Sequence, residues 1–279
     1  MDLAEIVARA LAEDIGAGDV TSEAVVPAEA RARARIVQKR PGVVFGFAAV
    51  AEAMRQCGVE HVDNLVVEGQ WRDGVPADVV VAGGTARSLL AAERTALNFL
   101  GHLSGIATLT ARYVEAVAGT GAQILDTRKT TPGLRELEKA AVAAGGGRNH
   151  RMGLHDAILI KENHIALAGG VAKAVHAARS AHPELAVEVE CRDLEEVAYG
   201  LGVGADLLLL DNMDTETLRK AVALREQSGG PKPPSLEASG GVTLETVRGI
   251  AETGVDLISV GALTHSAPTL DFSLLLEPA

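Results

Sequence analysis

Apolar and polar positions in the first third of the chain repeat with two periods, one typical of helices and one of strands. Residues 2–13 place apolar side chains on one helical face, and residues 48–57 predict a second helix. Between and after them lie strand-like runs near residues 32–38, 42–46, 64–67 and 79–81. The glycine pair 83–84 is expected to end the last of these strands. This order predicts an α+β domain with a mostly antiparallel sheet.

A long helical pattern follows, and after it strands and helices alternate. The long helix is predicted over residues 86–118, with a break between Gly101 and Gly105. Alternation of strands with helices is typical of a parallel sheet. The predicted strands lie near residues 122–126, 157–161, 186–190, 206–211, 235–239 and 257–260. Six such units are too few for the usual eight-stranded barrel, so an incomplete α/β barrel is predicted first and a doubly wound sheet second.

The pattern also predicts where the two domains divide. Residues 269–276 alternate like a strand without a following helix, and we expect this tail to complete the first domain's sheet. The expected organisation is a domain over residues 1–105, completed by 265–279, and a barrel over 106–264. Pro231 to Pro234 predict a stiff exposed loop within the barrel.

Composition narrows the classes of partner. The formal net charge is −11, which argues against nucleic acid because affinity for it rests on neutralising phosphates. Aromatic residues make up only 3%, so base-stacking surfaces are not expected either. No apolar run reaches the length of a membrane span, and the N-terminal pattern has no basic leader. Two distant cysteines, Cys57 and Cys191, predict reduced thiols in a cytoplasmic protein.

Polar residues end each predicted strand of the barrel. Because parallel strands all point the same way, these residues are expected to share one rim, which is where barrel enzymes bind ligands. The strand-end residues are Asp126 with Arg128 and Lys129, then Lys161, Glu190, Asp211 with Asn212, Ser239 and Gly261.

The cations of this set indicate a small anionic ligand in an acidic protein. Arginine offers a bidentate fork to carboxylate or phosphate, and lysine a point charge. The candidate ligands are Arg94, Arg128, Lys129, His150, Arg151 and Lys161. For Arg94 an equally good interpretation is that it forms a surface ion pair on its own helix.

Glu190 and Asp211 are the carboxylates of the rim. They suit Mg²⁺ shared with phosphate oxygens, or they neutralise Lys161 without any metal. Histidine and cysteine at zinc-binding spacing are absent from the sequence.

Two glycine-bearing loops predict phosphate binding. Ser239, Gly240 and Gly241 precede a helical pattern, and Val260, Gly261 and Ala262 follow the next strand. Glycine lets backbone N–H groups approach an oxyanion, and the last two strands of a barrel commonly carry the phosphate site.

Taken together, these segments resemble the quinolinate phosphoribosyltransferase family. The segments that carry the resemblance are Glu93 to Asn98, DTRKTTPGLR at 126–135, GGGRNHR at 145–151, Lys161 to His164, Glu188 to Glu190, Leu210 to Met213, Glu237 to Gly241 and Ser259 to His265. The resemblance implies an incomplete barrel of the seven-stranded type behind an N-terminal α+β domain. It also implies quinolinate and phosphoribosyl pyrophosphate as substrates, Mg²⁺, and a homodimer whose sites borrow residues from the partner subunit.

The same resemblance implies individual roles. Arg94, Arg128, His150, Arg151 and Lys161 fall on the dicarboxylate side, with Thr127 beside them. The residues implied to face the ribose, the pyrophosphate or its metal are Lys129, Glu190 and Asp211, which with Lys161 form the expected catalytic set. The segments Ser239 to Gly241 and Val260 to Ala262 are implied to hold the 5′-phosphate through backbone groups.

Three other functions remain open at the level of sequence. Lys161 at a strand end also fits a Schiff-base aldolase or lyase, although so many cations suit a more anionic ligand. A relative of the family encoded at molybdenum loci would share the fold. A catalytically silent binding protein is the third alternative, and the complete acidic and basic set argues against it.

Overall fold

The computed structural model describes residues 2–229 and 233–279, so Pro231 and Lys232 of the predicted loop lie outside the described residues. The chain forms two compact units, one of residues 1–111, 130–146 and 264–279, the other of 112–129 and 147–263. The first unit therefore contains the tail and also residues 130–146, which the sequence pattern had assigned to the barrel.

Among the described residues, the first unit contains a four-stranded sheet, a two-stranded sheet and five helices. Its strands are β1 (Arg31–Gln38), β2 (Gly42–Val43), β3 (His61–Asn64), β4 (Trp71–Arg72), β5 (Ala77–Thr85) and β12 (Phe272–Pro278). The two-stranded sheet consists of β2 and β4. Its helices are α1 (Leu3–Ile15), α2 (Val20–Val25), α3 (Phe47–Gln56), α5 (Arg135–Ala144) and most of α4 (Ala86–Ala116).

The main sheet of this unit is antiparallel, in the order β12-β1-β5-β3. Alternation along β1 explains its two faces, since Ala34 and Ile36 are buried while Arg33 is exposed. Ile36 pairs with Leu274 of β12 on one side and with Val80 of β5 on the other. The tail thus supplies an outer strand of the first sheet.

Two expectations for these strands were wrong. β3 ends at Asn64, and Leu65 makes one further backbone hydrogen bond, 2.9 Å to Val79. β5 also continues through Gly83 to Thr85. The reason is steric, because the His61 ring lies across Gly83, where a Cβ would come within 2.5 Å of the His61 Nε2 atom. Glycine keeps the strand paired there instead of ending it.

The predicted break in the long helix was also wrong, because α4 runs without interruption from Ala86 to Ala116. Gly101 and Gly105 make room for the returning tail. A Cβ on Gly101 would lie 2.7 Å from Thr269 Cγ2, and one on Gly105 would overlap the carbonyl oxygen of Pro268. The Leu270 N–H then donates to the Gly101 carbonyl at 3.0 Å. These glycines permit close approach and do not break the helix.

This contact gives a stability prediction. Gly105→Ala is expected to lower the free energy of unfolding by ~1–3 kcal/mol, because the new methyl must displace backbone of the tail. Gly249→Ala is the matched control, since Gly249 lies in α10 (Val247–Ala251) with open space around its Cβ position. The control should gain up to ~1 kcal/mol in urea unfolding. Equal stability of the two variants would contradict the packing role.

The second unit is a parallel sheet with helices. Its strands are β6 (Gln123–Leu125), β7 (Ile158–Ile160), β8 (Val187–Cys191), β9 (Leu207–Asp211), β10 (Ser235–Ser239) and β11 (Leu257–Ser259). The helices are α6 (Glu162–Ala168), α7 (Val171–Ala181), α8 (Leu194–Gly202), α9 (Thr215–Gln227), α10 and α11 (Ala262–His265), the last crossing into the first unit.

The strands pair in the order β6-β11-β10-β9-β8-β7, every pair parallel. All six predicted strands are present. Arg148 adds a parallel bridge to Leu125 on the free side of β6. The described residues therefore form an open, barrel-like sheet of six strands, with one further bridging position.

Candidate active site

The carboxyl ends of these parallel strands surround one pocket of about 220 Å³. Side chains two apart on a strand share a face, which brings Leu159 and Lys161 into the pocket, and likewise Leu209 and Asp211. The full lining is Thr127, Arg128, Lys129, His150, Arg151, Leu159, Lys161, Glu190, Leu209, Asp211, Glu237, Ser239 and Ser259. Nine of the predicted site residues therefore meet in one place.

One wall of the pocket is formed by the segment around His150 and Arg151, which is attached to the end of β6. The Arg148 N–H donates to the Ile124 carbonyl at 2.8 Å. The Asp126 carboxylate, wholly buried, accepts the His150 N–H at 2.9 Å. Asp126 thus fixes the segment and is not itself available as a ligand.

Arg128 and Arg151 give this wall its positive charge. Burial, together with the neighbouring Arg128, lowers the pKa of Arg151, while Glu188 and Asp156 oppose the shift. Arg151 also donates through Nη1 to the Ala157 carbonyl at 3.3 Å. Two neighbouring arginines in one pocket suit the binding of an anion.

Another part of the pocket lining combines a cation with carboxylates. Lys161, at the end of β7, forms an ion pair with Glu190 of β8. The backbone N–H of Lys161 donates to the side-chain Nδ1 of His164 at 3.0 Å, so the His164 side chain caps the first turn of α6. Asp211 of β9 accepts from the Asn212 side chain at 2.9 Å.

The two glycine-bearing loops follow neighbouring strands, because Ser239 of β10 pairs with Ser259 of β11. Gly240 has a φ of +100°, and a Cβ there would lie 3.1 Å from the Asn212 backbone nitrogen. Only glycine allows this approach without strain. Gly240 thus presents backbone, and not a side chain, on this side of the rim.

Two groups of residues have ligand atoms that suit a metal ion. Glu190 and Asp211 line the pocket from adjacent strands, and their hard oxygens fit Mg²⁺ beside a phosphate. Among the described residues, His150, Glu188 and Glu237 form the one cluster whose ligand atoms all lie within 4.8 Å of one another.

Glu237 has the largest pKa shift that the structure gives for a pocket residue. Complete burial, then the charge of Glu188, raise the pKa of Glu237 to about 8, against the opposing effect of His150. At neutral pH its carboxyl group therefore carries a proton, which limits the negative charge on the pocket floor.

This shift predicts a pH-dependent stability. Between the ordinary value of 4.5 and about 8, the unfolded chain releases the proton that the native state keeps. Stability therefore falls as pH rises through this window and is level above it. Glu237→Gln removes the burial of an ionisable group, and we expect it to raise Tm by about 5 °C at pH 7.5.

The advantage of Glu237→Gln should shrink as the pH approaches 4.5. Thermal melts followed by circular dichroism across the pH range measure it. Glu226→Gln, at an exposed position of α9, is the control and should show no such trend. A constant difference between Glu237→Gln and wild type at every pH would contradict the shift.

Six of the predicted residues do not line the pocket. Gly240, Gly241, Val260, Gly261 and Ala262 follow the strand-end serines that do line it. Arg94 is exposed on α4 in the first unit. A larger cavity of about 480 Å³ in that unit has His102 as its one basic lining residue. We assign the site to the smaller pocket because the cations converge there.

The sequence-based candidates omitted Leu159, Glu188, Leu209, Glu237 and Ser259. Four of these precede a predicted residue by two positions on the same strand: Leu159, Glu188, Leu209 and Glu237. The period of two was therefore a signal that could have found them. Ser259 immediately precedes the predicted Val260.

The fold and the pocket define an α/β-barrel enzyme with a site for an anionic substrate. Sequence profiles for the N-terminal and C-terminal domains of quinolinate phosphoribosyl transferase match residues 19–104 and 106–275. The chain belongs to the quinolinate phosphoribosyltransferase family.

Relatives and solved structures agree with this assignment. The carboxylating nicotinate-nucleotide pyrophosphorylase of Mycobacterium leprae is 44% identical over 97% of this chain and 95% of its own length. A probable enzyme of the same name from Bacillus subtilis is 42% identical over 94% of this chain and 89% of its own. The structure of nicotinate-nucleotide pyrophosphorylase from Francisella tularensis covers 99% of this chain and 96% of its own at 38% identity, with a TM-score of 0.93.

Proposed function

We propose that this protein transfers a phosphoribosyl group from phosphoribosyl pyrophosphate to quinolinate and releases carbon dioxide. The products are nicotinate mononucleotide and pyrophosphate, a step of NAD biosynthesis. The observation that carries the proposal is one pocket that holds the cations Arg128, Arg151 and Lys161 together with the carboxylates Glu190 and Asp211. Quinolinate brings two carboxylates and its co-substrate brings phosphates, which explains a cationic pocket in a chain of net charge −11.

The cationic groups bind and orient the substrates. Arg128, Arg151 and Lys161, with Thr127, hold the dicarboxylate, and His150 belongs to the same side of the site through its contact with Arg151. Lys129, exposed at the pocket mouth, faces the phosphates. Backbone groups of Ser239 to Gly241 and of Val260 to Ala262 hold the 5′-phosphate, although the Val260 N–H itself is donated to the Leu125 carbonyl at 2.9 Å.

The carboxylates stabilise the transition state. As pyrophosphate leaves C1′, positive charge develops on the ribose ring, and Glu190 and Asp211 stabilise it electrostatically. The quinolinate nitrogen then bonds to C1′ and becomes a pyridinium. The C–C bond to the adjacent carboxylate breaks as carbon dioxide departs, and the ring nitrogen stabilises the negative charge left on the ring until solvent supplies a proton.

Mg²⁺ fits this site as the partner of the pyrophosphate. Glu190 and Asp211 are the residues that would hold it, directly or through water. When bound, the ion neutralises charge on the leaving pyrophosphate.

We further propose a homodimer in which Arg94 of each subunit completes the partner's pocket. Its exposed position on α4 supports this, because an exposed arginine is accessible to a partner subunit. A two-fold axis makes such an exchange reciprocal.

A cytoplasmic location is part of the same proposal. The free thiols Cys57 and Cys191 support it, because reduced cysteines persist in reducing compartments. Within the described ranges, no helix has both the length and the apolar character that crossing a bilayer requires.

The deciding experiment is a product assay. Purified protein is supplied with phosphoribosyl pyrophosphate, Mg²⁺ and either quinolinate or nicotinate. Equimolar carbon dioxide and nicotinate mononucleotide from quinolinate alone are expected. Consumption of nicotinate, or of neither acid, would contradict the proposed function.

A Schiff-base enzyme using Lys161 is not favoured, because the Lys161 amine is engaged in an ion pair with Glu190 and is not available as a free nucleophile. We expect that borohydride will trap no substrate on Lys161. Peptide mass spectrometry after reduction in the presence of quinolinate measures this. A mass increase on the Lys161 peptide would restore the lyase alternative.

A further inference from the structure

Two buried carboxylates lie behind the cationic wall of the pocket, and the proposed reaction gives neither of them a role. Glu188 is 5% exposed and Glu237 is wholly buried. Both reach the ring of His150, whose Nε2 lies 2.9 Å from a Glu188 oxygen and 3.6 Å from a Glu237 oxygen. A buried acid pair is costly to keep unless it serves another group.

The hydrogen bonds of His150 define its tautomer. Its Nδ1 accepts the backbone N–H of Arg151 at 2.8 Å, so Nδ1 carries no proton. The ring proton therefore lies on Nε2, which donates to Glu188. In the other tautomer the proton would lie on Nδ1, and two N–H donors would then face each other at the Arg151 backbone.

We propose that Glu188 and Glu237 are positioning residues for quinolinate. They hold the His150 ring in the Nε2–H tautomer, and Nδ1 then anchors the backbone of Arg151 at the pocket wall. The proposal rests on the proposed function, because Arg151 is there a ligand of the dicarboxylate.

The protonated state of Glu237 supports this arrangement. Burial and the charge of Glu188 raise its pKa to about 8, so Glu237 carries a proton at neutral pH. A charged Glu237 would add repulsion against a dianionic substrate bound close by. The two acids thus anchor a histidine without cancelling the arginines of the wall.

The test removes the acceptor and then restores it. Glu188→Leu keeps the volume but offers no acceptor, and we expect KM for quinolinate to rise about tenfold, equivalent to ~1.4 kcal/mol. KM for phosphoribosyl pyrophosphate should change less than about twofold. Glu188→Gln restores a side-chain oxygen as acceptor, and it should recover most of the lost affinity.

Val189→Ala is the matched control for general destabilisation. Val189 is buried on the same strand and faces the other side of the sheet. We expect it to lower Tm without changing either KM. If Glu188→Leu and Val189→Ala change the two KM values alike, Glu188 is merely structural and the proposal is wrong.

Nitrogen-15 NMR of labelled histidine tests the tautomer directly. The His150 signal, assigned by its loss in His150→Gln, should report Nε2–H in wild type and lose that signature in Glu188→Leu. A wild-type His150 in the Nδ1–H form would overturn the proposal. So would a quinolinate affinity that falls on treatment with a chelator and returns with Zn²⁺, because the cluster would then be a metal site.

Failure of this proposal differs from failure of the proposed function. Wild-type protein that makes no nicotinate mononucleotide contradicts the function itself. Active wild-type protein whose quinolinate KM is unchanged by Glu188→Leu contradicts only the positioning role.

Discussion

Replacing Lys161 by alanine is expected to lower kcat/KM for quinolinate by roughly 10- to 150-fold, and Arg128→Ala to do the same. Each substitution removes a charge-assisted hydrogen bond to a substrate carboxylate, typically worth ~1.5–3 kcal/mol. Lys161→Ala also leaves Glu190 without its ion-pair partner, close to an anionic ligand. Calorimetric titration with quinolinate should show the same loss of affinity.

Fold stability should change far less than binding. The Lys161 side chain is 46% exposed, and ion pairs open to solvent contribute ~0–1 kcal/mol to the free energy of unfolding. Lys220→Ala is the matched control, because Lys220 forms an exposed i,i+4 pair with Glu216 on α9. It should leave quinolinate binding unchanged. Wild-type affinity in both Arg128→Ala and Lys161→Ala would remove these residues from the substrate site.

Mixing two inactive variants is expected to restore activity if the proposed dimer shares its sites. In a mixed dimer of Arg94→Ala and Lys129→Ala chains, one pocket keeps its own Lys129 and receives an intact Arg94 from the partner. The other pocket carries both defects. With random exchange about half the dimers are mixed, and the activity should reach roughly a quarter of wild type.

A second mixture serves as the control. Arg128 and Lys129 line the same pocket of one chain, so a mixture of Arg128→Ala and Lys129→Ala leaves a defect in every site. It should recover nothing. If the Arg94→Ala and Lys129→Ala mixture also stays at background after verified subunit exchange, Arg94 acts within its own chain.

The parts of the fold that sequence predicts well are those that depend on local periodicity. The strands of the barrel could be predicted because each is a short apolar run that ends in a polar residue, as β9 does at Asp211. The errors came from glycines. Gly83 and Gly105 look like breakers in sequence, yet each accommodates a side chain or backbone far away in the chain. Such contacts leave no local pattern.

Some residues of the candidate site could likewise be predicted from the sequence, and others could not. Charged residues at strand ends were predictable, because parallel strands bring their carboxyl ends together. The buried residues behind them were not predicted. A glutamate inside a strand, such as Glu237, is expected at the surface, and only the structure shows that it is buried. The division between the two units could be predicted only in part. Residues 130–146 lie between segments of the second unit in sequence but pack with the first unit.

The antiparallel pairing of β12 with β1 has a consequence for synthesis on the ribosome. Until residues 272–278 have been made, β1 has β5 as its one partner in the four-stranded sheet, and its other edge is open. The nascent first unit is therefore unfinished while the whole second unit is translated, and contacts so distant in sequence form slowly. The sheet that contains β1 is therefore completed only after β12 has been translated. Until then the open edge of β1 exposes this sheet to aggregation.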